Sequence, residues 1–459
     1  MEEVLHIAKN CRHYAMCKID FLGTGVCASG TEKGFVSYFP QGRMDLYAAL
    51  AENKIPVTEK VIDIADTCDL CGKCNFQCYF VAELKPVAVM KALKDYVDQY
   101  VKDGKIPEKE HVDPVLEEFR MIVGTPWATS DKGIAISYAH DPSPVTLPRL
   151  PRYVVMPGSV DEVSAVMKLI SRQGFHYAVR GNGSSVMGFV MSEDVVLDMG
   201  RMKEITFDEA NWKVRTGPGV SAFELQQEAS KKGFRVNVAE PSALVCANIM
   251  CSGIFSTWSA AYGTLADNFI NAEFVDPDGN YFTLNDKNAA NLFAFEKKEN
   301  PVQGICVAVE MKLYPITGDE QGILVPFEEL TGALDFAREC SVRRLGLAIG
   351  VLGGEYISAF IAPTKKLAAK ARETFSEKLN IAYLVQIIGD QHSIRSIREM
   401  GLPFFDQELF RILMLGLPSL ANAGWVDLFK DHFHDVAFGY LKLENFRDLA
   451  ETALMPSPS

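Results

Sequence analysis

Four cysteines spaced Cys68-x2-Cys71-x2-Cys74-x3-Cys78 constrain this chain more than any other feature. A thiolate is a soft donor that binds iron well, and thiolates this close together can wrap one iron–sulfur cluster corner by corner. The fourth cysteine of such a run characteristically reaches a second cluster. Of the 11 cysteines, seven fall within the first 78 residues, because Cys11, Cys17 and Cys27 precede the run. Read in the register of the run, Cys11-x5-Cys17 places Tyr14 and Phe21 where a second and a fourth cysteine would stand, and Cys27 is positioned to replace the fourth. Cys68, Cys71, Cys74 and Cys27 then complete one [4Fe-4S] cluster. Cys11, Cys17 and Cys78 remain as a set of three, which leaves open a second cluster with an unusual ligand, a three-iron cluster, or none. A zinc site built from four of the seven is the alternative metal reading.

The net charge of −13 argues against a nucleic-acid partner, since the chain has no basic excess to neutralise phosphates. No apolar run of roughly 18 residues is present, and MEEVLHIAKNCRHY lacks an apolar core. A cytoplasmic setting is therefore expected, where a dense cysteine run binds metal rather than forming disulfides.

The expected organisation is α+β and multidomain. Residues 1–105 form a helical, ferredoxin-like iron–sulfur domain. Its last helix runs from Ala82 to Val101, with Val87, Met90, Leu93, Tyr96 and Val97 on one face. The charged, Gly- and Pro-containing KDGKIPEKEHVDP reads as an exposed linker. Residues 106–315 alternate strands and helices as an α/β domain, with a capping box at Ser159 and Glu162; its division into two subdomains that bind FAD is what the flavoprotein resemblance given below implies. Residues 316–395 read βαββαβ, a small ferredoxin-like α+β cap whose closing strand is IAYLVQII. Its first residues, GDEQ at 318–321, read as a solvated turn, and residues 396–459 as a helical segment. Cys246, Cys251 and Cys306 read as small packing residues.

The strand HYAVRG ends in Arg180-Gly181-Asn182-Gly183-Ser184-Ser185, with Gly188 close behind. Glycines allow backbone N–H groups to approach a pyrophosphate, and small hydroxyls add donors. The pattern is neither G-x-G-x-x-G nor a Walker motif.

Two resemblances extend this reading. CRHYAMCKIDFLGTGVC…FPQGRMDLYAAL with CDLCGKCNFQCYF resembles the iron–sulfur domains that accompany heterodisulfide-reductase-like and glycolate/lactate-utilisation proteins. It departs from them at Tyr14, at Phe21 and at Tyr79, where a proline usually follows the last cysteine. From about Asp113 to Pro315 the chain resembles the p-cresol methylhydroxylase/vanillyl-alcohol oxidase flavoprotein superfamily. That likeness is carried by the Arg180–Ser185 loop, YAHDPSP, EPSA at Glu240–Ala243, AYGTLADNF, FVDPDG and VQGICVAVEMKLYP. It implies FAD held by Arg180, Gly181, Asn182, Gly183, Ser184, Ser185, Gly188, Pro241, Ser242, Asn248, Ser252, Gly253, Tyr262, Gly263, Asp267 and Gly304. Met250-Cys251 stands where members usually carry Gly-Gly. The tethering histidine of some members is absent, so the FAD is expected to be non-covalent. Trp258 is expected near the flavin as a packing or substrate wall.

Within the superfamily the chain most resembles the glycolate and D-lactate dehydrogenases. The expected function is an FAD- and [4Fe-4S]-dependent dehydrogenase subunit that oxidises a 2-hydroxy acid or related alcohol. Its electrons would pass singly to a partner: an electron-transfer flavoprotein, a heterodisulfide-reductase-like subunit or a quinone-linked protein, in a hetero-oligomer. No catalytic residue is assigned, because the late H-x-G-D-G-x-x-H motif is missing, Asp431-His432-Phe433-His434-Asp435 reads as surface or packing, and His392 has no evident partner. A relay subunit without a substrate site is the alternative. A non-redox enzyme like alkylglycerone-phosphate synthase is disfavoured by the cysteine run.

Overall fold

A computed structural model of the chain describes residues 2–20, 25–75, 78, 84–143, 146–185, 188–250, 256, 258–285, 304–354 and 373–406. The N-terminal part is built from α1 (Glu2–Lys9), α2 (Ala28–Lys33), α3 (Pro40–Ala51), α4 (Glu59–Asp66) and α5 (Pro86–Lys102). Thr58 starts α4 by accepting the Val61 N–H on its hydroxyl, and Pro86 starts α5 at a position that needs no N–H. Val89, Met90, Leu93 and Val97 of α5 are buried. The expected face is thus shifted by Val89, which takes a core place while Val87 is half-buried.

Helix α3 is the central element. Of its residues Pro40–Leu50, all but Ala48 are buried, so it has no solvent face for periodicity to reveal. Gly42 makes this possible, because a Cβ there would lie 2.2 Å from the Val36 carbonyl oxygen. The core around α3 continues past the linker: Tyr38, Met44, Leu46, Leu93, Ile134, Tyr138, Val154 and Val196 form one cluster. Each such side chain contributes about 1.5–3 kcal/mol by burial.

The linker is less exposed than its composition suggests. Glu108 pairs with the strand-like Val57–Glu59 segment through two backbone hydrogen bonds. Glu110 accepts from Arg120 at 2.5 Å, the Thr129 hydroxyl at 2.6 Å and the Ser130 N–H at 2.7 Å. Asp113 then caps α6 (Pro114–Val123).

The first sheet has the order β1-β2-β4-β3, from β1 (Ala128–Thr129), β2 (Tyr153–Val155), β3 (Tyr177–Arg180) and β4 (Val195–Asp198). β2 and β3 both run parallel to β4. The crossover from β2 to β3 is α7 (Val160–Gln173), whose N-cap Ser159 accepts the Glu162 N–H. The Glu162 carboxylate bonds the Gly158 N–H rather than that of Ser159, so the expected box is displaced by one residue.

The second sheet joins β5 (Ile205–Asp208), β6 (Lys213–Thr216), β7 (Phe234–Val236), β8 (Phe269–Val275), β9 (Tyr281–Asn285) and β10 (Ile305–Pro315). Its path is β5-β6-β10-β8-β9, with β7 also on β10. Helix α8 (Ala222–Lys231), with a complete Ser221/Glu224 capping box, packs on β7.

The cap holds β11 (Gln321–Phe327), α9 (Leu330–Val342), β12 (Ala348–Gly353), β13 (Tyr383–Gly389) and α10 (Gln391–Arg398). Its order is β11-β13-β12, all antiparallel. IAYLVQII therefore lies between the other two strands rather than closing an edge. Phe405 takes the other flank of β11 through an isolated bridge to Leu324. YISAFIA, the third strand of the βαββαβ pattern, and residues 407–459 with Asp431–Asp435, lie outside the described residues. Among the described residues no helix is long and apolar enough to cross a membrane.

Candidate cluster and flavin site

The described cysteines of the N-terminal part divide between two cavities. One, of about 480 Å³, is lined by Cys27, Cys68, Cys71 and Cys74, with Arg43, Leu70 and Lys73. The other, of about 420 Å³, is lined by Cys11, Cys17 and Cys78, with His13, Tyr14 and Gln41. Pro40, the first residue of α3, borders both. Among the described residues no three His, Cys, Asp or Glu side chains converge on a single metal ion.

Burial disfavours the thiolate at five of these cysteines. Burial, then the neighbouring Cys68 and Cys17, push Cys74 up to about 12. Burial raises Cys17 to about 11, and it raises Cys11, Cys71 and Cys78 above the ordinary thiol value. Ligation by thiolate therefore releases protons.

The chemistry of the first cavity suits a cluster, with four soft donors on an open cup whose Cys71 is exposed. The second offers three such donors. Gln41, 2% exposed, stands in its wall, and neither of its amide atoms is hydrogen-bonded among the described residues. Gln41 escaped the sequence reading because a glutamine in a helix ordinarily faces water.

The segment after Cys11 joins this region to the loop that follows β3. His13 Nε2 bonds Asp45 at 2.8 Å, and its ring stacks on His140 with centroids 5.7 Å apart. The Tyr14 carbonyl accepts the Ser242 hydroxyl at 2.5 Å. Burial lowers Lys18 to about 8 against the pull of Asp198, with Arg180 adding to the fall.

Arg180 ends β3 opposite Asp198 and is fully buried. Its Nη1 donates to the His140 carbonyl at 3.0 Å, while Nε and Nη2 have no hydrogen-bond partner among the described residues. Burial lowers its pKa, with Tyr138 and Asp198 opposing. Gly183 (φ +77°) lies against this guanidinium, and a Cβ there would be 2.3 Å from Nη2. Asn182 Nδ2 donates to the Ser242 carbonyl at 2.6 Å, bringing the 181–185 and 241–243 segments together. Gly181 backs onto Leu244, and Gly188 (φ +76°) onto Thr146. Ser184 and Ser185 are half-buried in this loop. The unpaired Nε and Nη2 of a buried cation, beside a glycine-lined turn, suit an anionic group such as the FAD pyrophosphate.

The other expected flavin residues that are described fall on turns and short helices between the strands of the second sheet. Pro241 accepts the Phe223 N–H. Tyr262 stacks on Tyr314 at 3.7 Å. Gly263 (φ +76°) nestles against Asp267, whose carboxylate caps the Thr264 turn. Gly304 leads into β10. Asn248 is on the helix Val245–Met250, and Ser252, Gly253 and Cys251 lie outside the described residues. Trp258 is fully buried beneath the Arg235 guanidinium at 3.6 Å, which makes it a packing residue here. Cys246 and Cys306 are buried core residues.

Tyr138 joins the two halves of the site: its hydroxyl donates to Asp198 at 2.7 Å and accepts the Val36 N–H at 3.1 Å. A first sheet with a parallel β2-β4-β3 core, an antiparallel second sheet and a glycine loop after β3 define the p-cresol methylhydroxylase type of flavoprotein fold. The chain superposes on p-cresol methylhydroxylase with a TM-score of 0.52 at 15% identity, over 69% of this chain and 71% of that one. For an alkyldihydroxyacetonephosphate synthase the TM-score is 0.54 at 18% identity, over 68% and 67%. Residues 151–285 match the family described as "FAD binding domain".

In sequence the chain is similar to an uncharacterized FAD-linked oxidoreductase of Mycobacterium tuberculosis, at 24% identity over 52% of this chain and 53% of the relative. It is similar to a D-lactate dehydrogenase of Archaeoglobus fulgidus at 24% identity over 43% and 46%. It is also similar to the glycolate oxidase subunit GlcD of Escherichia coli at 23% identity over 60% and 54%. The chain thus spans about half the length of these relatives.

Proposed function

We propose that this chain is an FAD- and [4Fe-4S]-dependent dehydrogenase subunit that oxidises a 2-hydroxy acid of the glycolate or D-lactate kind. It passes the electrons singly to a partner redox protein. The observation that carries the reading is the division of the cysteines between two adjoining cavities. One is bordered by the segment that bonds Ser242 of the flavin loop, and the other opens at the exposed Cys71. That order supplies an exit path for electrons. The relatives' names supply the substrate class.

Bound FAD supplies a hydride acceptor that releases electrons one at a time. The chain's own residues hold the site. Arg180 offers Nε and Nη2 as uncommitted donors, Gly183 leaves room beside them, and Asn182 fastens the second loop to the first. Cys27, Cys68, Cys71 and Cys74 are the ligands of the first cluster. Cys11, Cys17 and Cys78 face the second cavity.

Anaerobic purification with iron and acid-labile sulfide analysis tests the cluster reading, and zinc in place of iron overturns it. Bleaching of the flavin by D-lactate or glycolate, with no other chain present, supports the dehydrogenase. The sequence holds no H-x-G-D-G-x-x-H motif, and this favours a relay subunit as the second reading. Reduction by a partner protein alone, with no hydroxy acid active, decides for it.

A further inference from the structure

Arg43 lies in the first turn of α3 and is 1% exposed. All of its donors are committed. Nε bonds the Ile64 carbonyl at 3.1 Å. Nη1 bonds the Tyr38 carbonyl and, at 3.5 Å, Cys27 Sγ. Nη2 bonds the Ser29 hydroxyl at 2.8 Å and the Thr67 hydroxyl at 3.1 Å. None of these acceptors carries a charge, and among the described residues no Asp or Glu forms an ion pair with Arg43. A buried guanidinium without a counter-charge is costly, so this arrangement needs an anion that the protein side chains do not supply.

The geometry says where that anion sits. Arg43, Cys27, Ser29 and Thr67 all line the cavity of the first thiol set, and Thr67 directly precedes Cys68. As a thiol, Cys27 points its proton toward the Tyr38 carbonyl at 3.6 Å. As a thiolate it has no proton to give and becomes an acceptor for Arg43 Nη1 and for the Ser29 hydroxyl at 3.4 Å.

We propose that Arg43 is the built-in counter-ion of the cluster held by Cys27, Cys68, Cys71 and Cys74, hydrogen-bonding the Cys27 sulfur and raising the cluster's reduction potential. The inference rests on the cluster reading above and adds a positioning residue to it. Reduction adds one electron to the site, delivered by the flavin in turnover or by dithionite in a titration. No bond is made or broken and no proton moves. The negative charge facing Nη1 grows by one unit, so a fixed cation there stabilises the reduced state more than the oxidised one.

The test is a redox titration followed by electron paramagnetic resonance on the intact chain and on Arg43→Lys and Arg43→Met, with iron and sulfide measured in each. Arg43→Met is expected to keep its iron and to lower the equilibrium constant for one-electron reduction about tenfold, equivalent to ~59 mV. Arg43→Lys, which keeps the charge, moves it less. In case Arg43→Met does not fold, the unmodified sequence labelled with 15N-arginine is expected to show nitrogen hyperfine coupling to the reduced cluster. An iron-loaded Arg43→Met protein with an unchanged midpoint, or the absence of nitrogen coupling, overturns this inference alone. An unmodified protein without iron and sulfide overturns the cluster reading and the inference with it.

Discussion

Arg235 and Glu320 form an ion pair sealed from solvent, with Nη2 to Oε2 at 2.6 Å and Nη1 to Oε1 at 3.2 Å and side-chain exposures of 0% and 4%. The pair ties β7 of the flavin-binding part to the first residues of the cap, and the guanidinium lies over the fully buried Trp258. Glu320→Ala leaves a buried cation uncompensated and is expected to cost about 3–5 kcal/mol. Urea unfolding measures this. The double variant Arg235→Met/Glu320→Leu recovers most of the loss, because neither charge is then stranded. A Glu320→Ala protein within about 0.5 kcal/mol of the parent, the range of ordinary surface substitutions, contradicts this account.

Asp113 gives stability a specific acid limit. Burial works to raise its pKa. The Tyr153 hydroxyl at 2.6 Å, the Leu116 N–H at 2.9 Å and Arg152 at 2.7 Å outweigh that and bring it to about 2. A depressed carboxylate contributes stability that is complete above its unfolded value of about 3.9. That contribution is lost as pH falls through about 2. Asp113→Ala removes an N-cap, costs about 1 kcal/mol at neutral pH and abolishes this part of the acid dependence. Thermal unfolding of both proteins between neutral pH and the acid limit shows whether the gap closes as predicted.

Gly42→Ala tests the close approach of α3 to the turn at Val36. The added Cβ would sit 2.2 Å from a backbone oxygen, which a rotamer change cannot relieve. A loss of about 1–3 kcal/mol is expected, read as a lower Tm. A Gly318→Ala control, at a glycine with open space around its Cβ and no positive φ, supplies the uncrowded reference.

Gly183→Ala pushes on the Arg180 guanidinium and is expected to lower FAD retention while leaving the helical content unchanged. Flavin released on denaturation, per mole of protein after dialysis, is the readout. Acid precipitation of the parent protein is expected to leave all flavin in the supernatant, as a non-covalent cofactor requires. Flavin in the pellet contradicts that.

Features set by local chemistry were legible in the sequence. Ser159 caps α7 as its position implies, and the register of the cysteine run grouped the same residues that now surround the first cavity. What escaped depends on partners far apart in the chain. Glu320 sits in an acidic run that looks solvated, yet its partner is 85 residues earlier. Arg43 reads as a surface residue until α3 is seen to be buried on all sides. IAYLVQII was recognised as a strand, but its place between β11 and β12 is set by pairings that periodicity does not encode.

The short stretch from His13 to Cys17 lines the three-thiol cavity and, through the Tyr14 carbonyl, holds Ser242 of the loop proposed to bind FAD. On the proposed reading the two ligands share this segment, and if filling one site favours the conformation the other needs, whatever factor one adds to the affinity for the other is returned in the opposite direction. Protein made without iron is then expected to load less flavin, and protein made without flavin less iron.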